Sequence, residues 1–253
     1  MTVNYSAYYN DHPDYIALRD RSSEFFRQYL NEVKYWKNKY LFELVKDKAI
    51  HSVCEIGCAT GVLLAEFPSS TKAENRYGID VSTDNIEIAR VNYPGIKFFA
   101  GYFEDYLGQE GARLKFDLII LSDILEHVED DAGLLALAGK HADYVVLNLP
   151  LEKCGEFEGR EYGLHDKHGH LRAYDAKDAS DMVARAGLVE EHVIIKQYVL
   201  EPVFRKYLAD KLFNNKPDQE KVSGIAKYIN EINDIELNPA YYKSNYFGLL
   251  KKG

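Results

Sequence analysis

The sequence predicts an α/β fold, a mostly parallel sheet with helices on both faces. Three observations carry that expectation. Short apolar runs alternate with helix-patterned segments from about residue 52 to residue 200, as in parallel strands joined by crossover helices. The first run, Ser52-Val53-Cys54-Glu55-Ile56, enters a small-residue loop, Gly57-Cys58-Ala59-Thr60-Gly61, and then the helix-like Val62-Leu63-Leu64-Ala65-Glu66-Phe67. In a strand, tight loop and helix start of this kind, a ligand can lie across bare backbone. The length, 253 residues, suits one large domain or one domain with an added cap.

The elements follow in order. Residues 14–48 show helical spacing, with Phe25, Phe26, Tyr29, Leu30 and Val33 on one apolar face. Tyrosines crowd this first segment: Tyr5, Tyr8, Tyr9, Tyr15, Tyr29, Tyr35 and Tyr40. Residues 1–48 therefore read as a helical cap, either packed on the core or serving as an aromatic lid over a polar organic molecule. Strands are expected at 76–80, 96–100, 116–121, 144–149, 189–199 and 245–250, and helices at 83–91, 130–141 and 175–186. Ser82 or Thr83 offers an N-cap, and Gly187 a helix stop. Residues 201–240 are polar and helix-like, with Phe204, Tyr207, Leu208 and Leu212 on one face. This insertion reads as a lid, a homodimer face or plain elaboration of a single domain.

Composition narrows the function. Apolar content of 46% and charged content of 28% are those of a soluble globular protein. The longest apolar runs, at 118–121 and 144–147, are too short to span a bilayer. Residues 1–10 lack the blocks of a signal peptide. The cysteines Cys54, Cys58 and Cys154 suggest no disulfide framework, so a reducing, cytoplasmic setting is expected. The net charge of −9 opposes attraction to nucleic acid or anionic lipid. A small-molecule partner is expected, with neither nucleic acid nor membrane.

The loop spacing is G-x-A-x-G. It fits neither the G-x-G-x-x-G dinucleotide fingerprint nor the phosphate loop with its Lys-Ser/Thr pair. Glu55, at the strand end, suits a cationic amine and repels a pyrophosphate. The stretch resembles motif I of the class I S-adenosylmethionine-dependent methyltransferases, acid-x-G-x-G-x-G, with Ala59 in place of the middle glycine. A plain strand-turn-helix is the bland alternative.

That resemblance implies a Rossmann-like, seven-stranded mixed sheet and S-adenosyl-L-methionine as cofactor. It extends over about residues 39–200. It makes Glu55, Gly57, Cys58, Ala59 and Gly61 the cofactor loop. Asp80, 23 residues after Gly57, becomes the acid that accepts both ribose hydroxyls, which one carboxylate can do. The alternative for Asp80 is a helix-start acid. Val81 would pack on the adenine. Tyr102 stands where many relatives carry an adenine-binding aspartate, so Glu104, Asp105 or the Phe103 backbone takes that part.

The segment Leu121-Ser122-Asp123-Ile124-Leu125-Glu126-His127-Val128 resembles the "LEHV" segment of small-molecule methyltransferases, including those of quinone biosynthesis. Leu121 and Ser122 would approach the methionine part of the cofactor, and Glu126 and His127 would border the acceptor. The run from Tyr162 to Leu171 adds His165, His168 and His170 over the site. His127 or His170 is the expected general base near neutral pH, loops and caps being the alternative role for these histidines. No metal ligand is assigned in this reading.

The expected activity is methyl transfer to oxygen or nitrogen of a small intracellular metabolite. One alternative is a non-catalytic sensor or scaffold that keeps the cofactor pocket. Another is a metal-assisted RNA 3′-end methyltransferase, because Asp123, Glu126, His127 and His170 resemble the carboxylate-histidine set of those enzymes. A nicotinamide oxidoreductase is disfavoured by the loop spacing.

Overall fold

The computed structural model describes residues 5–68, 72–110, 114–163, 166–198, 201 and 243–253. The central strand β1, Val53–Ile56, is buried along its whole length. It pairs in parallel with β2, Arg76–Asp80, on one side and β4, Phe116–Ser122, on the other. With β3 (Lys97–Ala100), β5 (Ala142–Leu151), β6 (Leu188–Lys196) and β7 (Ser244–Lys252), the sheet has seven strands in the order β3-β2-β1-β4-β5-β7-β6. β7 runs antiparallel to both β5 and β6. The seven-stranded mixed sheet is the one the sequence predicts. Strand order reverses between β1 and β4, so the crevice for a ligand lies at their carboxyl ends.

Strand side chains alternate between two cores. Leu118 and Ile120 face a core shared with the N-terminal helices, α5 (Val62–Glu66) and α6 (Thr83–Asn92). Ile119 and Leu121 face the core made by α7 (Phe103–Glu110), α8 (Asp131–Lys140) and α9 (Ala176–Arg185). The sequence reading did not assign α7, whose first turn coincides with the expected adenine loop. Its signal was present in the helical spacing of Phe103, Tyr106 and Leu107, all buried.

The N-terminal segment is more broken than one amphipathic stretch. It comprises α1 (Tyr5–Asp11), α2 (Pro13–Arg19), α3 (Glu24–Glu32), a π-helical turn (Val33–Lys37) and α4 (Asn38–Val45). Pro13 at the first position opens α2, and Ser23 caps α3 by accepting from the Phe26 amide. Phe25 departs from the expected apolar face and is 38% exposed. Phe26, Tyr29, Leu30 and Val33 form the stripe, and Phe25 lies about 100° round the helix from Phe26. The expected insertion at 201–240 lies outside the described residues, apart from Glu201, which accepts from Lys39.

Candidate active site

The loop after β1 is built by three residues in the left-handed region: Gly57 at φ +79°, Ala59 at +45° and Gly61 at +77°. The amides of Gly57 and Cys58 both donate to the Ile79 carbonyl, at 2.7 and 3.0 Å. A Cβ on Gly57 would stand 2.4 Å from Ile124 Cδ1, so only glycine fits without a shift.

Asp80 closes the loop. Its Oδ2 accepts from the Ala59 amide at 2.8 Å and its Oδ1 from the Ser82 amide at 2.9 Å. Burial pushes its pKa above the usual carboxylate value, against the pull of those two amides. Ser82 caps α6 and donates to Asn10 at 2.6 Å, which ties α1 to the same corner.

A cavity of about 620 Å³ opens at this switch point. Gly57, Asp80, Val81, Tyr102, Phe103, Asp123 and His127 line it. Tyr5, Tyr9 and Tyr15, from α1 and α2, also line it. Burial raises the pKa of Tyr9 and Tyr15, so both keep their protons. Of the residues expected around the cofactor, Gly57, Asp80, Val81 and Phe103 are on the wall. Cys58, Ala59 and Gly61 shape the loop from behind it, and Leu121 is wholly buried in the core. Ser122 donates to Asp123 at 3.0 Å. Glu55 is also off the wall; its Oε2 is buried with no hydrogen-bond partner among the described residues. Burial pushes its pKa up to about 8, the charge of Lys37 opposing that rise.

Beyond β4 the chain turns sharply, with Asp123 at φ +52°. Lys37, from the π-helical turn, reaches Asp123 at 3.0 Å and Glu32 at 3.2 Å. Asn148 donates to the same Asp123 oxygen at 2.8 Å. Burial alone would raise the Asp123 carboxyl, but the Lys37 ammonium holds it below its ordinary value. Asp123 is thus engaged elsewhere, which corrects its expected grouping with Glu126, His127 and His170.

The other three do come together. Leu125–His127 forms a 3-10 turn that buries Glu126 and His127. Single donor atoms of Glu126, His127 and His170 lie within 4.8 Å of one another. The two imidazole rings meet edge to face at 4.7 Å. His127 Nδ1 is 3.1 Å from the Gly169 carbonyl, and His170 Nδ1 is 2.8 Å from Glu152. Neither oxygen of Glu126 has a hydrogen-bond partner among the described residues. Burial, reinforced by the Asp123 charge, pushes its pKa well above the carboxylate range.

Burial also pushes His127 down to about 4, with His170 adding to the shift. For His127 this lies below the near-neutral range expected of a general base. The imidazole stays neutral over the physiological range but binds a proton weakly.

Glu152 and the Asp166 turn hold the histidine loop in place, and the sequence reading gave neither a role. Glu152 takes Arg160 at 2.9 Å and Lys243 at 3.2 Å besides His170. Asp166 accepts twice from Arg160, each at 2.8 Å, and from the amides of His168 and His170. His168 turns towards Asp14, 4.0 Å away, and is not part of the cluster. His165 lies outside the described residues.

Residues 24–193 match a family described as a methyltransferase domain. Solved structures share the fold at low identity. Magnesium protoporphyrin IX methyltransferase from Synechocystis, with bound S-adenosylhomocysteine, superposes with a TM-score of 0.58 at 15% identity, covering 97% of each chain. An S-adenosylmethionine-dependent methyltransferase from Clostridium acetobutylicum gives 0.57 at 13%, over 90% of this chain and 98% of that one. The 4+2 cyclase SpnF gives 0.61 at 13%, over 98% and 95%. No curated protein matches in sequence. No helix among the described residues is long and apolar enough to cross a membrane.

Proposed function

The chain belongs to the methyltransferase-domain family, and from that premise we propose a small-molecule methyltransferase acting on an oxygen or nitrogen acceptor. It is an enzyme, and its cofactor is S-adenosyl-L-methionine. The observation that carries the reading is one cavity joining Asp80 and the glycine loop to His127.

The cofactor fits the residues present. The side-chain-free wall at Gly57 admits a ligand against backbone, with the Asp80 carboxylate on the same cavity. Bound there, the cofactor supplies a methyl group made electrophilic by its sulfonium. Asp80 would accept the ribose hydroxyls, and Val81 and Phe103 would flank the adenine. Glu55, Cys58, Ala59, Gly61, Leu121 and Ser122 would shape the loop and the strand ends around it. What remains for the protein is alignment of the acceptor and exclusion of water. Tyr5, Tyr9, Tyr15 and His127 line the same cavity, and Glu126 and His170 stand beside His127.

A tyrosine-covered cavity and an acidic chain support a small acceptor over RNA. A cyclase with this fold shows that the fold alone does not set the reaction. The free cysteines Cys54, Cys58 and Cys154 support a reducing, cytoplasmic setting. We take residues 1–253 as one domain, because α2, α3 and α4 share a core with the sheet.

Calorimetry with S-adenosylhomocysteine tests the cofactor site, with micromolar affinity expected, about −8 kcal/mol. Transfer of labelled methyl from the cofactor to a metabolite extract, with an RNA pool in parallel, tests the acceptor. No heat with either adenosyl ligand overturns the reading. Label appearing in RNA alone overturns the acceptor class.

A further inference from the structure

We propose that Asp123 recognises an ammonium group of a bound ligand, presenting Oδ1 to the cavity as a fixed, ionised acceptor. All the donors that reach this side chain converge on its other oxygen. Oδ2 accepts from Lys37 Nζ at 3.0 Å, Asn148 Nδ2 at 2.8 Å and Ser122 Oγ at 3.0 Å. Among the described residues no donor reaches Oδ1, yet Asp123 lines the cavity and its side chain is 29% exposed.

Buried side chains hold this pose. Lys37 is carried by the π-helical turn, a geometry that recurs at functional sites. Asn148 is wholly buried, and its Oδ1 accepts from Asn245 at 2.8 Å. That fixes the amide nitrogen of Asn148 towards Asp123 and Ser122. The backbone of Asp123, at φ +52°, is one that a non-glycine residue keeps only where its surroundings hold it.

Charge selects an ammonium over a neutral donor. Lys37 stands between two carboxyls, Asp123 at 3.0 Å and Glu32 at 3.2 Å, so its single positive charge is shared. It keeps Asp123 ionised without covering Oδ1. Elsewhere on the wall, Asp80, Glu104, Glu129 and Asp130 face Lys140 alone, so the field in the cavity favours a cation. Tyr9 and Tyr15 add aromatic walls, which also attract cations. A bond from an ammonium to a carboxylate is roughly twice as strong as one between neutral groups.

The ammonium has two possible sources: the amino-acid end of the adenosyl cofactor and an amine acceptor. Either source rests on the methyltransferase reading, and the second narrows its acceptor to a nitrogen-bearing cation. The recognition of an ammonium rests on Asp123 and the cavity alone.

The test measures both sources on the full chain. Calorimetry compares S-adenosylhomocysteine with its deaminated analogue, which keeps the carboxylate and lacks the ammonium. Ligand-observed NMR, with and without S-adenosylhomocysteine, compares benzylamine with benzyl alcohol. A preference of about tenfold or more for the amine-bearing member is expected in one pair at least, as for a hydrogen bond to a charged group. The pair that shows it names the source. Asp123→Asn should abolish that preference and leave the amine-free member nearly as tightly bound. Lys37→Met combined with Asp123→Asn, which also removes the buried cation, should behave as Asp123→Asn does and serves if the single variant folds poorly. Circular dichroism and binding of the amine-free ligand report folding. No preference in either pair, or one that survives Asp123→Asn in folded protein, overturns the proposal. Adenosyl ligands that bind without any such preference remove only this role of Asp123. A benzylamine preference in protein that binds neither adenosyl ligand leaves the ammonium site standing and the methyltransferase reading fallen.

Discussion

Replacing Asp80 by asparagine separates two jobs that one carboxylate is asked to do. Its oxygens accept from the Ala59 and Ser82 amides at 2.8 and 2.9 Å, so it staples the glycine loop to the start of α6. It also lines the cavity where the ribose is expected. Asparagine keeps one acceptor oxygen and turns an amide donor towards the other backbone N–H. Hydrogen bonds to charged groups are worth about 1.5–3 kcal/mol each. In a chain of this size such a loss lowers the melting temperature by about 3–12 °C.

If the carboxylate also takes ribose hydroxyls, a similar loss falls on the ligand. Affinity for S-adenosylhomocysteine should then drop roughly ten- to a hundredfold, at about 1.4 kcal/mol per factor of ten. Differential scanning fluorimetry reads the first effect. Titration calorimetry well below the melting temperature reads the second on folded protein. A lowered melting temperature with a dissociation constant unchanged within twofold would refute the ribose assignment and leave Asp80 as a loop staple only.

Three further outcomes follow from the same geometry. Lys37→Met leaves Asp123 buried without its cation and should cost about 3–5 kcal/mol of unfolding free energy in urea titrations, while adding Asp123→Asn should recover a large part of it. Gly57→Ala forces a Cβ to 2.4 Å from Ile124 at φ +79°; a loss of about 1–3 kcal/mol and weaker adenosyl-ligand binding are expected by denaturation and calorimetry. Glu55 has a folded pKa of about 8 against an ordinary value of 4.5, so it binds its proton more tightly folded than unfolded. Its contribution is therefore present below about pH 4.5 and lost as pH rises through about 8. Glu55→Gln should remove that slope, and parallel stability curves for the two proteins between pH 6 and 9 would refute the raised pKa.

The parallel half of the sheet was legible because each strand is an apolar run of limited length with a turn signal behind it. Residues 76–80 and 116–121 were placed within a residue of the observed strands. Asp80 was legible for the same reason: a strand end fixes where its last side chain goes. α7 was missed because the resemblance drew attention to Tyr102 and Phe103 as ligand contacts. The spacing of Phe103, Tyr106 and Leu107 marks a helix regardless. The breaks in the N-terminal helices left weaker marks. No local residue pattern announces the π-helical turn that carries Lys37 to Asp123, 86 positions along the chain (123 minus 37).

The histidine cluster shows where spacing stops being informative and topology takes over. Glu126 and His127 follow β4, Glu152 follows β5, His170 lies in a loop, and Lys243 precedes β7. Their separations along the chain say nothing about contact. The sheet does. β5 and β7 are antiparallel with Pro150 opposite Asn245 and Leu151 opposite Ser244. Continuing that register sets Glu152 against Lys243, and their side chains meet at 3.2 Å. β4 and β5 are parallel with Ser122 beside Asn148, so the turn carrying Glu126 and His127 emerges at the end of the sheet where Glu152 stands. Arg160 and Asp166 then need only fold the intervening loop back to bring His170 onto Glu152. Glu126, His127 and His170 are neighbours because β4 and β5 end side by side and the loop after β5 folds back onto them, a feature of strand order that no motif within the segments encodes.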